Sequence, residues 1–236
     1  DRHWSPAFRA RFHSPPAAWR QQDRHGAPLP SWYGGAYQPA CMNNPDWRTY
    51  ERFLVRQQLE AGCDGIFFDN PTVHPQGCYC SYCMEGFARF LKQEGFKPAP
   101  APGLEALRQF AAEHTKEFRR FRCTIARDFL AEMRRYARRL KGGALITANN
   151  SLNAPGSLYA QCRRYGYNIY QMSQAEDYVV VEDMSSQPRR LPNGQTSEYG
   201  PTYQQLRAIS HGKPVVAVTL AGADYQTPPE VMRLAL

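Results

Sequence analysis

Four short apolar segments that alternate with helical segments predict an α/β fold built from parallel β/α units. Each apolar segment has the length and β-branched content of a buried strand, and turn residues bound it on both sides. A (β/α)8 TIM barrel is the first expectation, with about four to five of its β/α units present. An open doubly wound sheet is the second, because no glycine-rich phosphate-binding sequence follows any of the strands.

Composition excludes several classes of protein. The 236 residues are 42% hydrophobic and 21% charged, which is typical of a packed globule and not of a disordered chain. The longest apolar runs are far shorter than the roughly 20 residues of a membrane helix, and the opening residues do not lead us to expect a signal peptide. The chain starts at Asp1 without methionine and stops inside an apparent helix at 232–236, so we expect a partial catalytic barrel whose other strands lie outside it.

The first elements can be placed from local signals. Residues 1–43 are rich in proline and predict an irregular loop region, whereas 44–236 predict successive β/α units. Asn44 is a good helix N-cap, and a proline and an aspartate follow it, so a helix begins there and ends near residue 62. The run 64–70 is a buried strand with Asp69 at its carboxyl end.

The later elements alternate in the same way. One apolar stripe extends over 104–141, which predicts a single long helix that two glycines terminate. The remaining predicted helices cover 84–94, 158–165 and 202–210, and the remaining strands cover 144–148, 177–181 and 214–218.

Polar side chains follow every predicted strand. In parallel α/β folds the carboxyl ends of the strands face the active site. A pair of carboxylates can cleave a glycosidic bond, one protonating the leaving oxygen and the other attacking the anomeric carbon or activating water. Glu182 is favoured over Asp183 because it directly follows the valine run. The strand-end residues are Asp69, Asn70, Asn149, Asn150, Glu182, Asp183 and Thr219.

The cysteines carry the sharpest local signal. Cys78, Cys80 and Cys83 form a C-x-C-x-x-C cluster, which suits tetrahedral zinc if a fourth ligand joins it. Cys41 is the first candidate for that ligand and His74 the second, while a disulfide or free thiols are the alternatives. A thiolate cluster favours a reducing compartment such as the cytoplasm. The other cysteines, at 63, 123 and 162, are expected to be ordinary buried thiols.

These motifs resemble a known family. The segments 41–45, 64–69 and 78–83, followed by Phe87, are similar to the middle of the family 42 β-galactosidase barrel and of related hypothetical glycosyl hydrolases. The resemblance implies a structural zinc on Cys41 and the three clustered cysteines. It also implies that the carboxylate ending the fourth strand, the acid/base of that family, corresponds to Asp69.

The sequence departs from that family in two places. Family 42 has Asn-Glu at the end of the fourth strand, where this chain has Asp69-Asn70. Its nucleophile follows the seventh strand, whereas no carboxylate occurs here after Thr219 until Asp224. Other glycosidase clans place an aspartate nucleophile on strand four and an acid on strand six. We therefore expect Asp69 as nucleophile and Glu182 as general acid/base.

Several side chains are expected to contact a carbohydrate substrate. Sugars stack on aromatic rings and hydrogen-bond to amides and carboxylates. The predicted binding residues are Asn70, Asn149, Asn150, Asp183, Trp32 and Tyr33, with Tyr225 as a further aromatic candidate.

Two other functions compete with a glycosidase. One is a catalytically inactive barrel that binds carbohydrate. The other is a zinc-organised nucleic-acid binder, suggested by the net charge of +8, although no nucleic-acid module is recognisable. No membrane partner is expected, and a homo-oligomer would form through regions outside this sequence. The nucleic-acid hypothesis requires one exposed stripe made of Arg119, Arg120, Arg122, Arg134, Arg135, Arg138 and Arg139.

Overall fold

Parallel strands flanked by helices make up the fold. A computed structural model describes residues 6–12, 14–31, 37–97, 100–150, 155–183 and 200–219. The first parallel pair joins β1 (Gly65–Phe68) to β2 (Leu145–Ala148), and the second joins β3 (Val179–Asp183) to β4 (Val215–Thr219). A parallel bridge between Asn149 and Val180 connects the two pairs.

The strands are neighbours in chain order, β1 to β4, as consecutive units of a β/α barrel are. On β1, Ile66 and Phe68 are buried among the helices, whereas Phe67, on the opposite face, is about half exposed. Helices therefore cover one face of this strand, as on the outside of a barrel. The described residues form a partial barrel of four strands and no closed one.

The helices pack around one long central helix, α5, which contacts five other helices and β2. Its Phe129 is buried against Trp47 and Phe68, with ring centroids 4.9 and 5.2 Å away. The core therefore joins α5, α2 and the first strand. The helices are α1 (Pro6–Phe12), α2 (Pro45–Glu60), α3 (Ser81–Gln93), α4 (Leu104–Glu113), α5 (Thr115–Leu140), α6 (Pro155–Tyr165), α7 (Ile169–Met172) and α8 (Gly200–Ile209).

The predicted start of α2 is confirmed. The side chain of Asn44 accepts hydrogen bonds from the backbone N–H groups of Asp46 and Trp47, at 2.9 and 3.2 Å. These bonds satisfy two of the free donors at the helix start, which is why the local sequence was sufficient to locate it.

Two predictions about the helices are wrong. The single helix expected over 104–141 is two helices, because the backbone leaves the helical region at His114, whose ring stacks on Phe110 at 4.0 Å. Residues 1–43 are not wholly irregular, since they include α1 and a 3-10 helix at Pro16–Trp19. Aromatic packing accompanies both differences. The His114 ring packs on Phe110 at the break, and in the N-terminal region Phe12 of α1 and Trp19 both pack against Tyr50 of α2.

Candidate metal centre and strand-end cavity

The structure brings together the four cysteines that the sequence selected. The Sγ atoms of Cys41, Cys78, Cys80 and Cys83 all lie within 4.8 Å of one another, and all four residues are buried. The Cys41 Sγ is 3.5 Å from the Sγ atoms of both Cys80 and Cys83. A tetrahedral metal with bonds of about 2.3 Å to sulfur would hold its ligands about 3.8 Å apart, so the spacing suits such an ion.

Electrostatics in the cluster also suit a cation. Hydrogen bonds from the other three thiols hold the pKa of Cys80 far below its ordinary value. Hydrogen bonds with Cys78 and Cys80 raise the pKa of Cys41, and those with Cys41, Cys78 and Cys80 raise the pKa of Cys83. Burial raises both pKa values further. A metal ion would displace the remaining thiol protons and bind thiolates. The amide of Asn43 donates to the Cys83 Sγ at 3.4 Å, the kind of outer contact that orients a metal ligand.

The thiols come from three segments. Cys41 precedes α2, Cys78 and Cys80 lie in the loop after β1, and Cys83 is in the first turn of α3. The alternative ligand His74 is not part of this group; its Nδ1 accepts a hydrogen bond from the backbone of Gln76. A bound ion would therefore tie the loop after Asp69 to the start of α2.

The other cysteines differ from expectation in part. Cys63 is exposed, so the prediction that it is buried is wrong; it lies in the turn between α2 and β1. Cys123 is buried and Cys162 is partly exposed, with their Sγ atoms 3.6 Å apart.

Asp69 lies directly after β1 and is exposed. Its Oδ1 accepts hydrogen bonds from the side-chain amides of Asn70 at 2.9 Å and Asn149 at 3.1 Å. Asn70 has a positive φ of 47°, a conformation that asparagine tolerates better than most residues. The adjacent strand ends thus fix the orientation of one carboxyl oxygen, and the other has no hydrogen-bond partner among the described residues.

A cavity of about 640 Å³ opens beside Asp69, between β1, α2 and the segment before α2. Glu51 of α2 lines the same cavity, and burial raises the pKa of its carboxyl to about 7. An acid with a pKa near neutrality can donate a proton to a leaving group. Glu51 is not among the residues predicted from the sequence, because a glutamate within a helix carries no signal of this environment.

The two predicted asparagines that follow β2 differ in role. Asn149 contacts Asp69, whereas Asn150 is 1% exposed and its amide donates to Ala148 O and to Glu176 Oε1. The hydroxyl of Tyr167 donates to the Asn150 Oδ1. Asn150 is therefore a core residue in this structure, which differs from the predicted contact with substrate.

The remaining predicted site residues lie partly or wholly outside the part of the chain that the structure describes. Glu182 and Asp183 lie at the end of β3, in register with Val218 and Thr219 of β4, but their side chains lie outside what the structure describes. The aromatic candidates also lie outside the described residues; they are Trp32, Tyr33 and Tyr225.

The arginines of α5 do not form one exposed stripe. Arg122 is buried, and Arg134 and Arg138 both pair with Asp177, at 2.5 and 2.8 Å. The arrangement that the nucleic-acid hypothesis requires is therefore interrupted. None of the helices in the described ranges combines the length with the hydropathy of a membrane-spanning segment.

Comparison with known proteins finds similarity in structure and none in sequence families. No family model and no curated protein matches this sequence. The PgaB (BpsB) glycoside hydrolase domain from Bordetella bronchiseptica aligns over 94% of this chain and 61% of its own, with 15% identity and a TM-score of 0.59. The β-galactosidase from the psychrophilic Marinomonas ef1 aligns over 86% of this chain and 35% of its own, with 11% identity and a TM-score of 0.54.

The β-galactosidase from Bacillus circulans sp. alkalophilus is similar over 94% of this chain and 40% of its own, with 16% identity and a TM-score of 0.50. The chain thus spans between about a third and three fifths of the length of the structures it resembles. At such identities the likeness concerns the fold alone. The chain has the fold of a partial β/α barrel of the type found in glycoside hydrolases.

Proposed function

We propose that the protein is a glycoside hydrolase whose nucleophile is Asp69. The observation that carries the proposal is the position of this carboxyl group at a strand end, held by Asn70 and Asn149 beside a cavity. The fold shared with glycoside hydrolases supports the same activity. The family 42 resemblance remains part of the proposal, as does the carbohydrate class of substrate.

The second acid in this proposal is Glu182. Its backbone lies at the end of β3, the same end of the sheet as Asp69, because all four strands are parallel. In a retaining mechanism Asp69 attacks the anomeric carbon while Glu182 protonates the leaving oxygen, and Glu182 then activates the water that releases the sugar. Glu51 is the competing proton donor, since it lines the cavity and has a pKa of about 7.

The cysteine cluster has a structural role in this proposal. Zinc is the proposed metal because four buried sulfur ligands are typical of closed structural zinc sites, which leave no position for substrate. It would hold the segment 37–42, which lines the cavity, against the loop that follows Asp69.

Hydrolysis of a panel of aryl glycosides by the full-length protein tests the proposal. Asp69→Asn and Glu182→Gln should each reduce kcat/KM by a factor of about 10³ or more. Asp128→Asn is the control, since this carboxylate is exposed on α5 and does not line the cavity, and it should retain most of the activity. A 2-deoxy-2-fluoro glycoside should label Asp69 covalently, as mass spectrometry of the digested protein would show.

The outcomes separate the alternatives. If Glu51→Gln abolishes activity and Glu182→Gln does not, the acid is Glu51. Carbohydrate binding by the wild-type protein without hydrolysis would instead support the inactive barrel. Near wild-type hydrolysis by Asp69→Asn would refute the proposed nucleophile.

A further inference from the structure

A second cavity, of about 550 Å³, lies between the N-terminal half of α5, α6 and the loop after β1. It shares no lining residue with the cavity beside Asp69. No aspartate or glutamate is among its described lining residues. Its charged lining residues are Arg119, Arg122, Arg163 and Arg164. We propose that this cavity is a binding site for an oxyanion group, a phosphate, sulfate or carboxylate carried by a small organic molecule.

Arg122 is a buried cation in the wall of this cavity. The residue is 7% exposed, and its Nη2 donates to the backbone oxygens of His74 at 2.8 Å and Arg164 at 2.7 Å. Its Nε is buried without a hydrogen-bond partner in the described part of the chain. Burial of a charge is unfavourable unless a counter-charge compensates it. The two carbonyl oxygens and the nearby Cys78 and Cys123 thiols compensate only in part and leave the Nε unpaired, so an anion in the cavity would complete the site.

The other arginines of the cavity lack carboxylate partners among the described residues. Arg119, Arg163 and Arg164 make no ion pair with any residue that the structure describes. Most other arginines of α5 are different. Arg120 pairs with Glu94, and Arg134 shares Asp177 with a second arginine. The guanidinium groups around the cavity are thus available to bind an anion, which their planar forks match well.

The uncharged side chains that line this cavity suit a ligand larger than a bare ion. Gln76 and Thr115 offer hydrogen-bonding groups, and Tyr159 is 70% exposed at the edge of the cavity. The ring of Tyr79 packs on that of Phe118, with centroids 4.8 Å apart, and both residues line the wall. A free phosphate would fill only a fraction of this volume, so the structure favours an anion with an organic portion that contacts the tyrosines.

Cys162 supplies an internal reporter. The hydrogen bond from Cys123, followed by the charges of Arg119 and Arg122, lowers the pKa of Cys162 to about 7. An anion bound by those arginines would offset their charge and reduce the thiolate fraction of Cys162. Occupancy of the cavity should therefore slow alkylation of this cysteine.

Calorimetric titration of the full-length protein at low ionic strength tests the proposal. The probes are inorganic phosphate, sulfate, glucuronate and a hexose 6-phosphate. We expect saturable binding of at least one of them, weakened about tenfold or more in Arg119→Gln/Arg163→Gln. The control Arg135→Gln/Arg139→Gln carries the same change in net charge, at exposed positions in the C-terminal half of α5, and should bind as wild type does.

The probes also distinguish the sources of the anion. Tighter binding of the hexose phosphate than of inorganic phosphate supports an organic ligand, and equal binding supports an oxyanion site without contact to the organic portion. No saturable binding of any probe, or equal weakening in the control variant, would overturn the proposal.

Alkylation of Cys162 by iodoacetamide, followed by mass spectrometry, gives a second measurement that needs no arginine variant. A binding probe should slow alkylation of Cys162 and leave that of the exposed Cys63 unchanged. Equal rates with and without saturating probe would contradict the site. Both measurements can be made whether or not the protein has glycosidase activity.

Discussion

Glu176 is a buried acid whose ionisation should control the stability of the protein. It is 0% exposed, and its Oε1 accepts hydrogen bonds from Ala148 N at 3.1 Å and from the Asn150 amide at 3.2 Å. Its Oε2 is buried without a partner among the described residues. Lys213 donates to the backbone oxygen of Glu176 and does not reach its carboxyl group through any described hydrogen bond. Glu176→Gln should therefore preserve both contacts of Oε1 and remove the titratable proton.

The magnitude follows from the pKa. Burial raises the pKa of Glu176 from 4.5 to about 7, although the two hydrogen bonds and Lys213 oppose the increase. The folded state therefore holds a proton that the unfolded state releases between these values, so the contribution of Glu176 to stability is fully present below pH 4.5 and is lost as the pH rises to about 7. The full difference corresponds to about 3 kcal/mol at pH 8. Glu176→Gln should be more stable than wild type by about that amount at pH 8.

Urea unfolding followed by tryptophan fluorescence, at pH values from 4.5 to 8, measures this difference. Other groups titrate in the same range, including Glu51, but their contributions cancel when the variant is compared with wild type at each pH. The variant should gain relative stability steadily as pH rises. A difference between the two proteins that is constant with pH would refute the assignment of a raised pKa to Glu176.

Three further predictions follow from the structure. Elemental analysis should find about one metal ion per chain in the purified protein and clearly less in Cys83→Ser. An unchanged metal content would show that Cys83 is not a ligand. Asn149→Ala should lower kcat by about tenfold or more without unfolding the protein, because the substitution removes a hydrogen bond that orients the Asp69 carboxyl. An unchanged kcat on a substrate whose hydrolysis requires Asp69 would contradict this prediction. Gly166→Ala should destabilise the protein by about 2 kcal/mol or more, since a Cβ there would lie 2.9 Å from a backbone oxygen of α5. Gly95→Ala, at nearly the same φ with open space around it, isolates the conformational part and should cost about 1 kcal/mol in thermal or urea unfolding.

The sequence by itself determined the features that depend on neighbouring residues. The start of α2 at Asn44 follows from hydrogen bonds to residues two and three positions later. The alternation of strands and helices predicted a parallel arrangement, which the structure shows. The spacing of Cys78, Cys80 and Cys83 identified three of the four clustered thiols, since ligands within one loop and helix turn cannot be far apart.

The tertiary structure decided what depends on segments distant in the chain. The break between α4 and α5 at His114 reflects contacts of this residue with Phe96 as well as with α4, and no local sequence pattern predicts it. Glu176 and Arg122 look like ordinary surface charges in the sequence, yet packing against other elements buries both. Burial and hydrogen-bond partners are set by long-range contacts, and these determine whether an acid is neutral or a guanidinium needs an anion.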